Sequence, residues 1–327
     1  MSPHPQKTRI KPPALRTGDA IGIVAPASNV NRDLFAQGCS ALRDLGYRPV
    51  YHDSIFDRDL YFAGTLQRRV RELEDMFTRD DVRAILCARG GYGSNYLLGK
   101  LDSAKIISHP KIFAGYSDLT SLLTCFCDSA GLVTFHGPML TKDFASPGGV
   151  DLSSWNAAVT GASDFEVIPS SPAVKTLVAG EAEGILYGGC LSILVAALGT
   201  PHDIHTAGTI LFLEDLNAKP YQIDRMLMQL KLAGKLDHVR GFVFGEMLNS
   251  VQVAHQDYKL EEVVLRVIGD LGVPIAWGLR SGHVTGGNVT LPFGVRAALL
   301  AEKNEVSLKI LKPAATAAAI SSTMHSS

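Results

Sequence analysis

Four short segments in the first half of the chain, Ile21–Ala25, Val82–Ala88, Ile112–Ala114 and Val133–Phe135, are apolar at nearly every position. A strand with one wet face alternates polar and apolar residues, so runs without alternation need cover on both faces. Between the first two lie Leu66, Val70, Leu73 and Met76-Phe77, spaced as one face of a helix in an otherwise charged segment. Strand alternating with helix argues for a parallel α/β sheet, here over residues 14–140.

At 327 residues the chain is long enough for two domains. Residues 141–182 read as a linker, punctuated by Ser146-Pro147-Gly148-Gly149 and Pro169-Ser170-Ser171-Pro172. The second unit, 183–312, is more mixed and reads as a smaller α+β domain. Thr209–Leu213 and Gly241–Phe244 have strand character. Ile223, Met226, Leu227 and Leu230 form one helical face, and Val263, Val264, Val267, Ile268 and Leu271 form another. Val306–Ile310 alternates, as expected of a half-exposed terminal strand. The small and polar residues 313–327 are expected to be a disordered tail.

Charge and cysteine usage narrow the function. Thirty-one Lys+Arg against 32 Asp+Glu give a net charge of −1, with no basic run to bind nucleic acid or an anionic membrane. No apolar stretch approaches the ~20 residues needed to span a bilayer. Lys7, Arg9, Lys11 and Arg16 precede the first apolar run, but Pro12-Pro13 and Asp19 break any leader-like pattern, and a first strand explains Ile21–Ala25 better. Five irregularly spaced cysteines fit reduced thiols in a cytoplasmic protein, and Cys125-x-Cys127 lacks the spacing and second pair of a metal site.

Four turns could carry chemistry. In Gly115-Tyr116-Ser117-Asp118 an apolar strand runs into a serine followed by a helix-patterned segment. Such a hydroxyl stands above the sheet edge at a helix N-terminus, where free N–H groups favour developing negative charge. Taken alone, Ser117 or Asp118 reads rather as an ordinary N-cap, because Leu119 replaces the last glycine of a full Gly-x-Ser-x-Gly elbow. Arg89-Gly90-Gly91-Tyr92-Gly93 is a second strand end, where glycines let backbone amides approach a ligand; neither a dinucleotide nor a P-loop fingerprint is present. Leu213-Glu214-Asp215 ends a strand in two carboxylates, and Gly282-His283 sits in a Gly-rich loop before the candidate strand Val289–Leu291. Serine, acid, histidine and an amide-rich turn together are the parts of a serine acyl-transfer site.

These motifs, with Gly22-Ile23-Val24-Ala25-Pro26-Ala27-Ser28 and Gly184-Ile185-Leu186-Tyr187-Gly188-Gly189, run in order along residues 14–312 and resemble the LD-carboxypeptidase family of muramoyltetrapeptide carboxypeptidases. The resemblance implies an N-terminal domain like class I glutamine amidotransferases, a smaller β-rich C-terminal domain, and often a homodimer. It implies a cytoplasmic serine peptidase that removes terminal D-alanine from murein tetrapeptides in cell-wall recycling, with no metal or cofactor. Ser117 would be the nucleophile, His283 the base and Glu214 the orienting acid, with the amides of Asp118 and of Gly90 or Gly91 as the oxyanion hole. Arg89 is the candidate receptor for the substrate's terminal carboxylate, and a structural salt bridge is its ordinary alternative. Asp215 rivals Glu214, but neighbours on a strand face opposite ways. Cys190 stands where the family commonly shows Asn, which puts a substrate contact in question. The alternatives are an immunity-type peptidase cutting aminoacyl- or peptidyl-nucleotides, like the microcin C self-immunity proteins, and a non-catalytic binder of murein peptides. A glutamine amidotransferase is disfavoured by Ser117 in place of a cysteine.

Overall fold

The computed structural model describes residues 9–167, 174–250 and 257–316. In chain order the first half runs β1 (Ala20–Val24), α1 (Arg32–Asp44), β2 (Arg48–Val50), α2 (Leu66–Thr78), β3 (Val82–Cys87), α3 (Ser103–Ser108), β4 (Ile112–Gly115), α4 (Thr120–Cys125) and β5 (Thr134–His136). Next come α5 (Leu152–Val159), β6 (Phe165–Glu166), β7 (Lys175–Val178), β8 (Gly180–Cys190), α6 (Leu191–Ala196) and β9 (Thr209–Glu214). The chain continues with α7 (Pro220–Leu232), β10 (Gly241–Gly245), α8 (Leu260–Ile268), β11 (Ile275–Leu279), β12 (Leu291–Phe293), β13 (Arg296–Ala301) and β14 (Val306–Ile310).

Two sheets result, in the orders β12-β5-β4-β3-β1-β2 and β6-β14-β13-β8-β9-β10-β11-β7. In the first, β1 to β5 are parallel and buried at nearly every position except in the exposed edge strand β2, as apolar runs without alternation require. Helix α2 starts at a Thr65 cap and turns Leu73, Met76 and Phe77 into that sheet. In the second sheet, β8-β9-β10-β11 are parallel and the outer strands antiparallel. Leu227 and Leu230 of α7 and Val264 and Ile268 of α8 cover it, packed with Leu211, Leu213, Phe242 and Phe244. A single apolar cluster joins Ile21, Leu86 and Phe135 of one sheet to Leu186, Phe212, Val243 and Leu308 of the other, so the sheets share a core.

Four expectations need correction. Segment 141–182 is more than a linker: α5 buries Trp155, Ala158 and Val159 in the shared core, while β6 and β7 form the two edges of the second sheet. Its Pro169–Pro172 signal lies outside the described residues. The candidate strand Val289–Leu291 is displaced to Leu291–Phe293 and joins the first sheet, antiparallel to β5, so the chain crosses back between sheets just after His283. β14 is inside its sheet, flanked by β13 and β6. Of the expected tail, Ala314 and Ala315 are buried and Thr316 bridges to Pro13; residues 317–327 lie outside the described region. No helix among the described residues is long and apolar enough to cross a membrane.

Candidate active site

Parallel strands put their C-terminal ends on one edge, and the loops there build the site. Ser117 follows β4 and takes φ +64°, a conformation in which an L side chain is crowded. The strain lifts its hydroxyl clear of the sheet, ahead of a tight turn, Ser117–Leu119, that leads into α4. Asp118 is not exposed as a cap would be. It is buried, and its carboxylate accepts the Ser94 N–H at 2.8 Å while its carbonyl accepts the Ser94 hydroxyl at 2.6 Å. Ser121 completes the knot, 2.7 Å from Ser94 Oγ. The Gly-rich segment after β3 is thereby tied to the serine turn.

Gly90 faces the serine so closely that a Cβ on it would lie 2.9 Å from Ser117 Cβ and 3.4 Å from the Asp118 nitrogen. Only glycine keeps the turn's backbone this near the hydroxyl. Gly91 leans on Ser28 instead, whose hydroxyl accepts the Tyr92 N–H at 3.1 Å. Arg89 is half-buried, makes no ion pair among the described residues, and donates only to the Asn29 carbonyl, at 3.3 Å.

Glu214 ends β9, almost fully buried, and Asp215 turns away from it. The Asp215 carboxylate accepts the N–H groups of Ser192 and Leu216 and lines a separate depression with Asn217 and Gln222. Glu214 Oε2 accepts twice from one residue, from the His283 backbone N–H at 3.1 Å and from ring Nδ1 at 2.7 Å. That assigns the proton to Nδ1 and leaves Nε2 as an acceptor, 3.0 Å from Ser117 Oγ. Burial alone would push the Glu214 carboxyl up; the hydrogen bond and charge of His283, with His136 and the backbone N–H, outweigh it and hold the acid below its ordinary value.

The His283 loop is held from behind. Asn288 accepts the Gly282 N–H at 3.0 Å and returns its amide to the Gly282 carbonyl at 3.1 Å. Gly282 itself has φ +90°, and a Cβ there would sit 2.6 Å from Glu214 Cδ. The Tyr116 ring lies 5.2 Å from the imidazole, edge to face.

The structure therefore brings Ser117, His283 and Glu214 into one hydrogen-bonded line, with Gly90 and the Asp118 amide against the serine. Gly91 and Arg89 stand one step out along the same turn. Such a line can move a proton from hydroxyl to imidazole, with a fixed carboxylate stabilising the cation that forms. Sequence reasoning missed Ser94, Ser121 and Asn288, which hold the site through contacts 24 and 27 positions apart in the first case and within one loop in the last. Asn288 followed Gly286-Gly287, a signal for a shaped loop but not for its partner. It also missed His136, fully buried at the end of β5 against Phe212 and Phe293, where burial lowers its pKa to about 4.

Comparison with known proteins shows what the chain as a whole resembles. The profile of the LD-carboxypeptidase N-terminal domain matches residues 21–137, and that of the C-terminal domain matches residues 183–299. A probable murein peptide carboxypeptidase of Bacillus subtilis is 38% identical over 299 residues, covering 90% of this chain and 93% of its own. The crystal structure of muramoyltetrapeptide carboxypeptidase from Oxalobacter formigenes superposes with a TM-score of 0.80 at 30% identity, covering 89% of this chain and 98% of its own. Microcin C7 self immunity protein MccF in complex with aspartyl sulfamoyl adenosine superposes at 0.86 with 26% identity, covering 94% and 100%.

Proposed function

The chain belongs to the LD-carboxypeptidase family, and from that premise we propose that it is a serine carboxypeptidase that hydrolyses the L,D-amide bond holding the terminal D-alanine of murein tetrapeptides. The observation that carries the proposal is the relay from Ser117 Oγ to His283 Nε2 at 3.0 Å and from Nδ1 to Glu214 at 2.7 Å. Ser117 Oγ attacks the carbonyl carbon of the penultimate residue as His283 Nε2 takes its proton. The oxygen that gains charge is met by the Asp118 amide and one amide of the Gly90–Gly91 turn. The carbon–nitrogen bond then breaks, His283 returns the proton to the D-alanine amine, and a water activated by the same imidazole releases the acyl group from Ser117. Arg89, with no carboxylate partner among the described residues, receives the terminal carboxylate of the substrate. A cytoplasmic homodimer belongs to the same proposal, on the family resemblance alone.

Mass spectrometry of tetra-, tri- and dipeptide substrates after incubation tests it. Release of D-alanine from tetrapeptide alone is the expected result, and intact tetrapeptide after prolonged incubation would remove the proposal. The likeness to MccF supports a second reading, cleavage of an aminoacyl-nucleotide by the same residues. Faster turnover of an aminoacyl sulfamoyl adenosine than of tetrapeptide would favour it.

A further inference from the structure

One side chain at the site, Cys190, has no part in acyl transfer. Cys190 ends β8 and pairs in register with Glu214 at the end of β9, so parallel neighbours bring a thiol beside the carboxylate. The Cys190 backbone is pinned there by its N–H donating to Thr120 Oγ1 at 3.1 Å. Cys190, Glu214 and His283 can each offer one ligand atom, and these three atoms lie within 4.8 Å of one another. Glu214 has an oxygen to spare: Oε1 is buried and takes no hydrogen bond among the described residues, while Oε2 serves His283.

We propose that Cys190, Glu214 and His283 form an inhibitory site for a thiophilic divalent cation, zinc or cadmium, which switches the catalytic relay off. Ligand bonds of about 2.0–2.3 Å in a tetrahedral shell require donor atoms roughly 3.3–3.8 Å apart, within reach of small side-chain shifts here. A carboxylate and a thiolate together cancel the charge of a divalent ion, which makes the buried position tolerable. Sulfur and imidazole nitrogen select zinc or cadmium over magnesium or calcium, which prefer oxygen. A water completes the shell, as in zinc sites with three protein ligands.

The step balances simply. The Cys190 Sγ–H bond breaks as the sulfur–metal bond forms, and that proton leaves to solvent. The metal displaces the proton on His283 Nδ1, and the neutral ring carries it on Nε2 instead. An Nε2–H facing Ser117 Oγ donates and cannot accept, so the nucleophile loses its base. Inhibition rests on the roles proposed for Ser117 and His283, whereas binding does not.

The test uses the intact, metal-free enzyme with ZnCl2, CdCl2 and MgCl2, followed by D-alanine release and by the ultraviolet thiolate-to-cadmium absorption band. Zinc is expected to abolish release reversibly on addition of EDTA, and magnesium to leave it unchanged. The cadmium band should be present in wild type and lost in Cys190→Ser and Cys190→Asn, with the zinc midpoint raised by about tenfold or more. Undiminished zinc sensitivity in both variants, or no cadmium band in wild type, would overturn the site. A Cys190-dependent band in an enzyme that releases no D-alanine would keep the site and remove the peptidase proposal.

Discussion

The two sides of the candidate site are assembled over very different distances along the chain. On the serine side, Asp118, Ser121 and Ser94 interlock across 3, 24 and 27 positions, all within neighbouring strand–helix turns of the first sheet. On the other side, Glu214 and His283 meet across 69 positions, and His283 reaches Ser117 across 166. The serine is poised by local backbone strain, at φ +64°. The imidazole is poised by the crossing from β11 to β12, which leaves the second sheet and joins the first. The proposed chemistry thus depends equally on a turn closed within 27 positions of chain and on a closure that needs both sheets.

Removing either side's reacting group should erase that difference. Ser117→Ala and His283→Ala are each expected to lower kcat/KM for tetrapeptide by about 10⁴ or more, with little change in Tm. Near-normal turnover in either would break the account of both sides.

The adjacent carboxylates sharpen it. Glu214→Gln should cost about 10³–10⁴ in kcat, since the amide no longer fixes the imidazole tautomer. Asp215→Asn should cost less than about tenfold in kcat but about 1 kcal/mol of stability, as its partners are the Ser192 and Leu216 amides. Paired kinetics and denaturant melts read both, and the reverse ranking would reassign the acid.

Two glycines probe each side in turn. Gly90→Ala places a methyl 2.9 Å from Ser117 Cβ, and Gly282→Ala places one 2.6 Å from Glu214 Cδ. Each is expected to lower kcat by about 10²-fold through displacement of the reacting atoms. Gly282→Ala should also lose about 1–2 kcal/mol in melts, because its φ of +90° is strained for any other residue.

The last effect is on acid stability rather than on turnover. His136 titrates at about 4 when folded, against 6.5 unshifted, because burial penalises its cation. The unfolded chain therefore binds that proton first. The contribution of neutral His136 is complete above pH 6.5 and is lost as pH falls toward 4. The depressed Glu214 carboxyl adds a loss only further down, below its unfolded value of 4.5. Denaturant melts from pH 7 to pH 4 should show the slope, and His136→Phe should flatten it.

Legibility in the sequence followed the same division. Residues 82–88 and 112–114 announced buried parallel strands because no polar residue faces out at their centres, and the turns that follow them carry Gly90 and Ser117. Glu214 could be preferred over Asp215 from family likeness and strand alternation. β8 was hidden, since its first half alternates glutamate with glycine or alanine on an antiparallel flank while Leu186–Cys190 is buried throughout. α5 was hidden as well, because only Ser154, Trp155, Ala158 and Val159 face inward across its two turns. The return of β12 to the first sheet is a long-range pairing with β5, which no local pattern around Val289 encodes.

The relay itself can be interrogated without any assumption about substrate. Intact-mass and peptide mass spectrometry after treatment with a fluorophosphonate should find one adduct, on Ser117, in the wild-type protein and almost none in His283→Ala. An adduct that forms equally fast without His283, or that maps to another serine, would contradict the account.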